Sequence, residues 1–438
     1  MNDSFRDWRS PDSASAALRR RARGVFVAGH TRQAVWFDPY PPYVERGEGP
    51  CVFDVEGNRY VDYTNNLGVL IHGDAHPDIM DAAKAQLERG TCFALPTSAE
   101  IALAELLCDR VESFERVRFV NTGSEAVASA LKAARAHTGR TRIAKLEGVY
   151  HGSYDYAEIS NYSSPENWGN DPASVPVNAG TPTGVPDEVV VLPGNDVEST
   201  LRILDAHGGE IAAVIVDPVP PRNGMVPLRS EYVSALREWT KRDGALLVYD
   251  EVIALRFGYR GAQGRFGGDP DLTAMGKIIG GGFPVGAIAG RADVMQVVAD
   301  RAQTSGTFSA NPVTMTAGLK SMELLTPEAY DRLDANGERV RTRLRESIER
   351  HGAAMQVVGT GSMFSIYPHQ RDATRYRNYY RSAAENETVA RLHLALMARG
   401  VFIAPTCTGF MSTVMGEPEI DALCNAFEDV LAGGISPA

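Results

Sequence analysis

Short apolar runs alternate along this chain with longer stretches whose apolar residues recur at helical spacing. Val117-Arg118-Phe119-Val120, Arg142 to Leu146, Val189 to Leu192, Ile211 to Val216 and Ala245 to Tyr249 are each brief and sharply bounded, as buried strands are. Helical signals lie between them. Pro77 in a first turn and Gly90 past the last bracket one helix, and Thr97-x-x-Glu100 is a capping box that opens another. The second helix is expected to turn Ile101, Leu103, Leu106 and Leu107 inward. An alanine-rich helix follows Asn121-Thr122-Gly123-Ser124-Glu125 and runs to about Ala136. Strands alternating with helices at this spacing predict an α/β chain with a mostly parallel, doubly wound sheet.

The two ends of the chain read differently. Cys51 to Tyr63 holds two alternating runs around Glu56-Gly57-Asn58, the pattern of a β-hairpin. From Pro327 a charged helix with Leu333, Val340, Leu344 and Ile348 inward leads to strands at Met355–Val358 and Met363–Tyr367. A helix from Val389 to Arg399 then stops at Gly400, before a strand from Val401 to Ala404. Residues 160–187 are rich in Asn, Ser, Pro and Gly and exceed an ordinary connection, which marks an active-site cover or a mobile segment.

Composition narrows the classes. With 438 residues, 44% of them hydrophobic, the chain can bury a large core and build two or three domains. A net charge of -11 argues against a broad nucleic-acid or anionic-membrane surface, though not against a local pocket for a small anion. The five cysteines are odd in number and lack a close Cys-x-x-Cys pair, so reduced thiols are expected and no structural metal site is. No apolar run approaches the roughly 20 residues of a membrane span. Met1 to Arg23 is polar, with Arg19-Arg20-Arg21 and no apolar core of a secretory signal. A cytoplasmic protein is expected.

Candidate chemistry gathers at a few short stretches. Asp250 follows an apolar strand directly, where open α/β sheets place ligands. Lys277 stands among apolar residues and glycines in Gly276-Lys277-Ile278-Ile279-Gly280-Gly281-Gly282, a setting that disfavours the charged amine and favours a nucleophile. Strand, Gly123-Ser124, helix start is a geometry that turns backbone N–H groups and a hydroxyl toward an anion. Singly, each has a plain reading: a snorkelling lysine, a turn-forming aspartate, an ordinary helix cap.

Together with Tyr150-His151-Gly152 and Gly306-Thr307, in this order, these stretches resemble the class III, fold-type I aminotransferases that use pyridoxal phosphate (PLP). The likeness is to the branch of glutamate-1-semialdehyde 2,1-aminomutase and the β-amino acid aminotransferases. It covers roughly residues 30–430. It implies a large PLP-binding domain over 63–320 with a mostly parallel sheet, a small α/β domain over 321–438, and a segment 1–62 packing with the small domain. It implies Lys277 as the Schiff-base lysine and Asp250 as the partner of the pyridine nitrogen, in a triplet ending at Val252. It further implies Gly123 and Ser124 on the phosphate, Tyr150 stacked on the ring with His151 beside it, and Thr307 reaching the phosphate of the neighbouring subunit. That last role implies a homodimer with shared active sites. Arg32, before the aromatic segment from Trp36 to Tyr43, matches an arginine that holds the substrate carboxylate; Arg222 and Arg256 compete for the role.

Three departures bear on substrate choice. Asn65-Asn66-Leu67 stands where the aminomutase has Ser-Trp, and Asp217-Pro218 where relatives have Glu-Pro. Pro220 to Gly224 replaces a small-polar loop, which leaves the partner of the cofactor 3-hydroxyl open. The implied reaction is exchange of an amino group between an amino donor, of β- or ω-amino acid type, and a keto acid. Intramolecular transfer of the aminomutase kind is the alternative, and racemisation stays open.

Overall fold

The computed structural model describes residues 5–221, 224–372 and 374–434. In chain order its strands begin with β1 (Val44–Glu48), β2 (Cys51–Asp54) and β3 (Arg59–Asp62). Next come β4 (Arg116–Val120), β5 (Arg142–Leu146), β6 (Val189–Leu192), β7 (Ile211–Val216), β8 (Leu246–Asp250), β9 (Leu272–Gly276) and β10 (Gly286–Gly290). The last are β11 (Gln356–Val358), β12 (Met363–Tyr367), β13 (Val401–Phe402) and β14 (Thr408–Phe410). Two compact units result: one from the residues up to His76, Asp331–Gln370 and the residues from Arg381 on, the other from Pro77–Tyr330 and Arg371–Tyr380.

In the first unit, β1, β2, β3 and β13 form one sheet, and β11, β12 and β14 another. The hairpin between β2 and β3 closes on Asp54, whose carboxylate accepts from the Glu56 and Asn58 N–H groups and from the Tyr60 hydroxyl. Leu333, Val340, Leu344 and Ile348 of the helix Pro327–His351 are buried, as its spacing predicts.

The second unit holds a seven-stranded sheet in the order β4-β10-β9-β8-β7-β5-β6. Only β10 runs antiparallel to its neighbours. Strands β6 to β10 are buried along their whole length, on both faces of the sheet, whereas the edge strand β4 buries only Val120. Along β7, Ala213 and Ile215 pack with Ala126, Ala130 and Ala134 of the helix Gly123–Thr138, while Val214 and Val216 pack with Tyr232, Leu236 and Trp239 on the other side. Each large apolar side chain so enclosed contributes about 1.5–3 kcal/mol.

Three expectations change. The helix Ser98–Arg110 buries Leu103 and Leu107 but leaves Ile101 55% exposed. At 100° per residue, Ile101 lies about 200° round the helix from Leu103. The late helix starts at Ala383 rather than Val389, on a capping box made by Ser382 and Glu385. Residues 371–380, inside the segment assigned from sequence to the small domain, fold with the second unit instead.

Candidate active site

Strand order makes the site of the second unit. From β5 the chain moves outward to β6, then returns to β7 on the other side, so β5 and β7 flank a switch point. Ligands bind in open parallel sheets at the carboxyl ends of strands beside such a point. His151 follows β5, Asp217 follows β7, Asp250 ends β8 and Lys277 follows β9.

Asp250 is buried and held from two sides. Its Oδ1 accepts from the Val252 N–H at 3.0 Å, and its Oδ2 lies 2.8 Å from Nδ1 of His151. A carboxylate can only accept, so Nδ1 carries the proton. Burial of the His151 ring pushes its pKa down, against the pull of Asp250, which keeps the imidazole neutral. Its Nε2 is buried with no hydrogen-bond partner among the described residues. An orphaned acceptor of this kind, beside a buried acid, suits a site built to hold a further group.

Val252 explains the glycine at the turn after β4. A Cβ on Gly123 would lie 2.8 Å from Cγ1 of Val252, so only glycine lets the turn close over it. Thr122 caps the helix Gly123–Thr138 by accepting from the Glu125 N–H, and Glu125 accepts in turn from the Asn121 N–H. The first N–H groups of the helix are free of intrahelical duty, and the positive end of its dipole faces the same way. Ser124 Oγ accepts from the Ser153 N–H at 3.1 Å, and a Cβ on Gly152 would fall 2.6 Å from that oxygen. The turn bearing Tyr150 and His151 therefore touches the turn bearing Gly123 and Ser124. Tyr150 itself keeps an exposed ring.

Lys277 leaves β9 at φ 50°, a left-handed conformation that costs a lysine about 1–2 kcal/mol, and its side chain is half-buried. The glycines after it serve packing. A Cβ on Gly281 would lie 2.5 Å from the Ala317 carbonyl oxygen, so the run lets the helix Pro312–Leu324 approach closely. Lys145, also on a strand, is fully buried with Nζ bonded to the Ile159 carbonyl and Asn161 Oδ1.

Two further acids are placed here. Asp217 lies beside Asp250, since Val216 pairs with Tyr249. Burial first, then the Asp250 charge, pushes its carboxyl well above the usual range, while Lys277 pulls it back. Glu251 is buried too and pushed up to about 7 by that burial. It accepts from the Ala262 and Gln263 N–H groups and so anchors the short helix Gly261–Phe266.

The remaining candidates fare differently. Arg256 is 1% exposed and faces Tyr330, with burial pushing its pKa down to about 10. Arg256 is thus enclosed in the interior, whereas Arg32 is exposed. Arg222 lies outside the described residues. Thr307 is exposed, its carbonyl accepting from Sγ of Cys92 at 3.7 Å. Arg32 belongs to the first unit, where it is exposed at the head of the turn Gln33–Val35. In that unit Asn65, Asn66 and Leu67 all take positive φ, and Asp62 accepts from the Thr64 and Asn65 N–H groups at the head of the turn. Among the described residues no group of His, Cys, Asp and Glu side chains could hold a metal ion.

A buried acid–histidine pair, an adjacent lysine and a glycine-opened helix N-terminus form a donor set that fits a pyridine ring carrying a phosphate. Comparison with known proteins agrees with this. The model of the class-III aminotransferase family matches residues 33–431. The chain is similar to a solved omega-transaminase from Sphaerobacter thermophilus, with 50% identity, a TM-score of 0.95, and 97% of this chain and 98% of that one covered. A solved beta-phenylalanine aminotransferase from Variovorax paradoxus is 31% identical at a TM-score of 0.89, covering 98% and 96%. A glutamate-1-semialdehyde 2,1-aminomutase from Desulforudis audaxviator is 40% identical over 428 residues, 96% of this chain and 97% of its own.

Proposed function

Because the chain belongs to the class III aminotransferase family, we propose that it moves an amino group from a β- or ω-amino acid to a keto acid. The cofactor is pyridoxal phosphate, which supplies an electron sink for charge left on the substrate carbon. Lys277 would hold the cofactor through its amine and would serve as the general acid and base at the substrate carbon. Asp250 holds the proton on the pyridine nitrogen, and His151 orients Asp250 through Nδ1–H. Gly123 and Ser124 anchor the phosphate, with Thr307 reaching it from a second subunit. Tyr150 would stack on the ring, and Val252 would line the same site.

One observation carries the donor class: the 50% identity over nearly the whole chain to an omega-transaminase. The 40% likeness to an aminomutase supports intramolecular transfer as the second reading. Asn65-Asn66-Leu67, in place of the aminomutase's Ser-Trp, weighs against it. Initial rates with one donor and several keto acids decide. A two-substrate ping-pong pattern is expected, and turnover of a lone aminoaldehyde without acceptor would favour the mutase.

Arg32 binds the donor carboxylate. A charge-assisted pair contributes about 1.5–3 kcal/mol, so Arg32→Ala should raise KM for a β-amino acid by about 10- to 150-fold. KM for an amine without a carboxylate should stay put. Equal change in both, or in neither, would make Arg32 a structural residue.

The enzyme works as a homodimer with shared sites. Near Cys92 and Thr307 in the chain, Leu95 at 77% and Phe308 at 63% expose large apolar side chains that a second subunit would cover. Sedimentation should give twice the 47.4 kDa chain mass, and a single-chain mass with full activity would rule the shared site out. We assign Pro77–Tyr330 with Arg371–Tyr380 to the PLP-binding domain, and the residues up to His76, Asp331–Gln370 and the residues from Arg381 on to the small domain and the N-terminal segment packing with it. Five free thiols support a cytoplasmic protein, and among the described residues no helix is long and apolar enough to cross a membrane.

A further inference from the structure

Residues 371–380 leave the first unit and pack in the second, and two consecutive side chains there grip the turn after β5. Glu147 opens that turn, three residues before Tyr150, and is buried. Its carboxylate accepts from Nε of Arg377 at 2.8 Å, from Nη2 at 3.2 Å and from Ser163 Oγ at 3.1 Å. The other donors of the Arg377 fork reach the carbonyl oxygens of Trp168, Gly169 and Asn170 at 2.9, 2.9 and 3.3 Å. Its guanidinium also lies 4.9 Å from the Trp168 ring centroid.

Tyr376 grips the same turn one residue on. Gly148 sits at φ 76°, and a Cβ there would fall 2.0 Å from the Tyr376 ring, so the ring occupies the space glycine leaves. The Tyr376 hydroxyl donates to the Ser163 carbonyl at 2.8 Å. The strap is fastened below as well: Asn195 Nδ2 donates to the Thr374 carbonyl, and Arg375 pairs with Asp196. One guanidinium thus ties a buried acid at the strand end to three carbonyls of the loop 160–187. A bidentate fork of this kind fixes orientation as well as position.

We propose that Tyr376 and Arg377 are positioning residues for the cofactor. They hold Glu147 to Gly152 so that Tyr150 and His151 meet the ring and Asp250 in register. This rests on the reading that Tyr150 and His151 face the cofactor.

The test uses the full-length holoenzyme and reads PLP affinity together with the visible circular dichroism of bound PLP, which reports ring orientation. Arg377→Met strands a buried carboxylate and should weaken PLP binding by about 10- to 100-fold with a diminished visible band. Arg377→Lys keeps the charge without the fork and should fall between. The double variant Glu147→Gln with Arg377→Met leaves no stranded charge and should recover most of the affinity but not the full band. A lower melting temperature with affinity and band as in the wild type would make the strap merely structural and overturn the proposal. Should Arg377→Met fail to fold, Tyr376→Ala, which strands no charge, carries the same test. Tyr150→Ala is the control. If it alters affinity and band while the strap variants do not, the proposal falls and the site reading stands. If Tyr150→Ala alters neither, both fall.

Discussion

Replacing Lys277 with alanine should lower turnover by about 10⁴-fold or more while the protein still folds. Two roles are lost with one side chain, a covalent amine and a general acid–base whose own share is about 10²- to 10⁴-fold. The fold has little reason to suffer. Lys277 pays backbone strain at φ 50°, which alanine does not worsen. Borohydride reduction of the wild-type holoenzyme should leave a pyridoxyl label on Lys277 alone. Lys145 is excluded by geometry, since its Nζ is fully buried and bonded to Ile159 and Asn161. Lys132 lies exposed on the outer side of the helix Gly123–Thr138. A label on either lysine, or an alanine variant with near wild-type turnover, would remove Lys277 from the reaction.

Asp250→Asn should keep the cofactor bound and slow turnover by about 10²- to 10³-fold, the usual cost of losing one preorganised charge at a reacting centre. The amide preserves shape: its oxygen still accepts from the Val252 N–H or from Nδ1–H of His151. What it lacks is the negative charge that keeps a proton on the pyridine nitrogen. Exchange of the hydrogen on the amine-bearing carbon of the donor with deuterated solvent, followed by NMR, isolates the affected step. The exchange rate should fall in parallel with turnover. An Asn variant that exchanges at the wild-type rate would mean that another group, such as the buried Asp217 beside it, holds that proton.

Asp217 and Arg256 show where sequence reasoning reaches its edge. Both flank recognised motifs, and neither could be assigned from its neighbours. Asp217 becomes part of the acid cluster because β7 and β8 pair in parallel, which brings Asp217 beside Asp250. Arg256 stands four residues after the Asp-Glu-Val triplet, yet the short turn Ala254–Phe257 carries it into the interior. The strands β9 and β10 escaped notice for a different reason. Leu272–Gly276 and Gly286–Gly290 are made largely of small residues with weak strand preference. Their glycines are demanded by the fold: a Cβ on Gly286 would fall 2.0 Å from the Thr122 carbonyl oxygen.

By itself the sequence determined what depends on short separations. The buried strands β5 to β8, the capping box at Thr97, the hairpin around Gly57 and the strand-end position of Asp250 all follow from apolar period and turn chemistry within a few residues. Tertiary structure alone decided what depends on strand order and distant closure. His151 meets Asp250 across 99 residues and Arg377 meets Glu147 across 230. No local period encodes such pairs. A surface arginine and an interior one look alike in sequence, and burial is settled only when the sheet order has chosen which strand ends are neighbours.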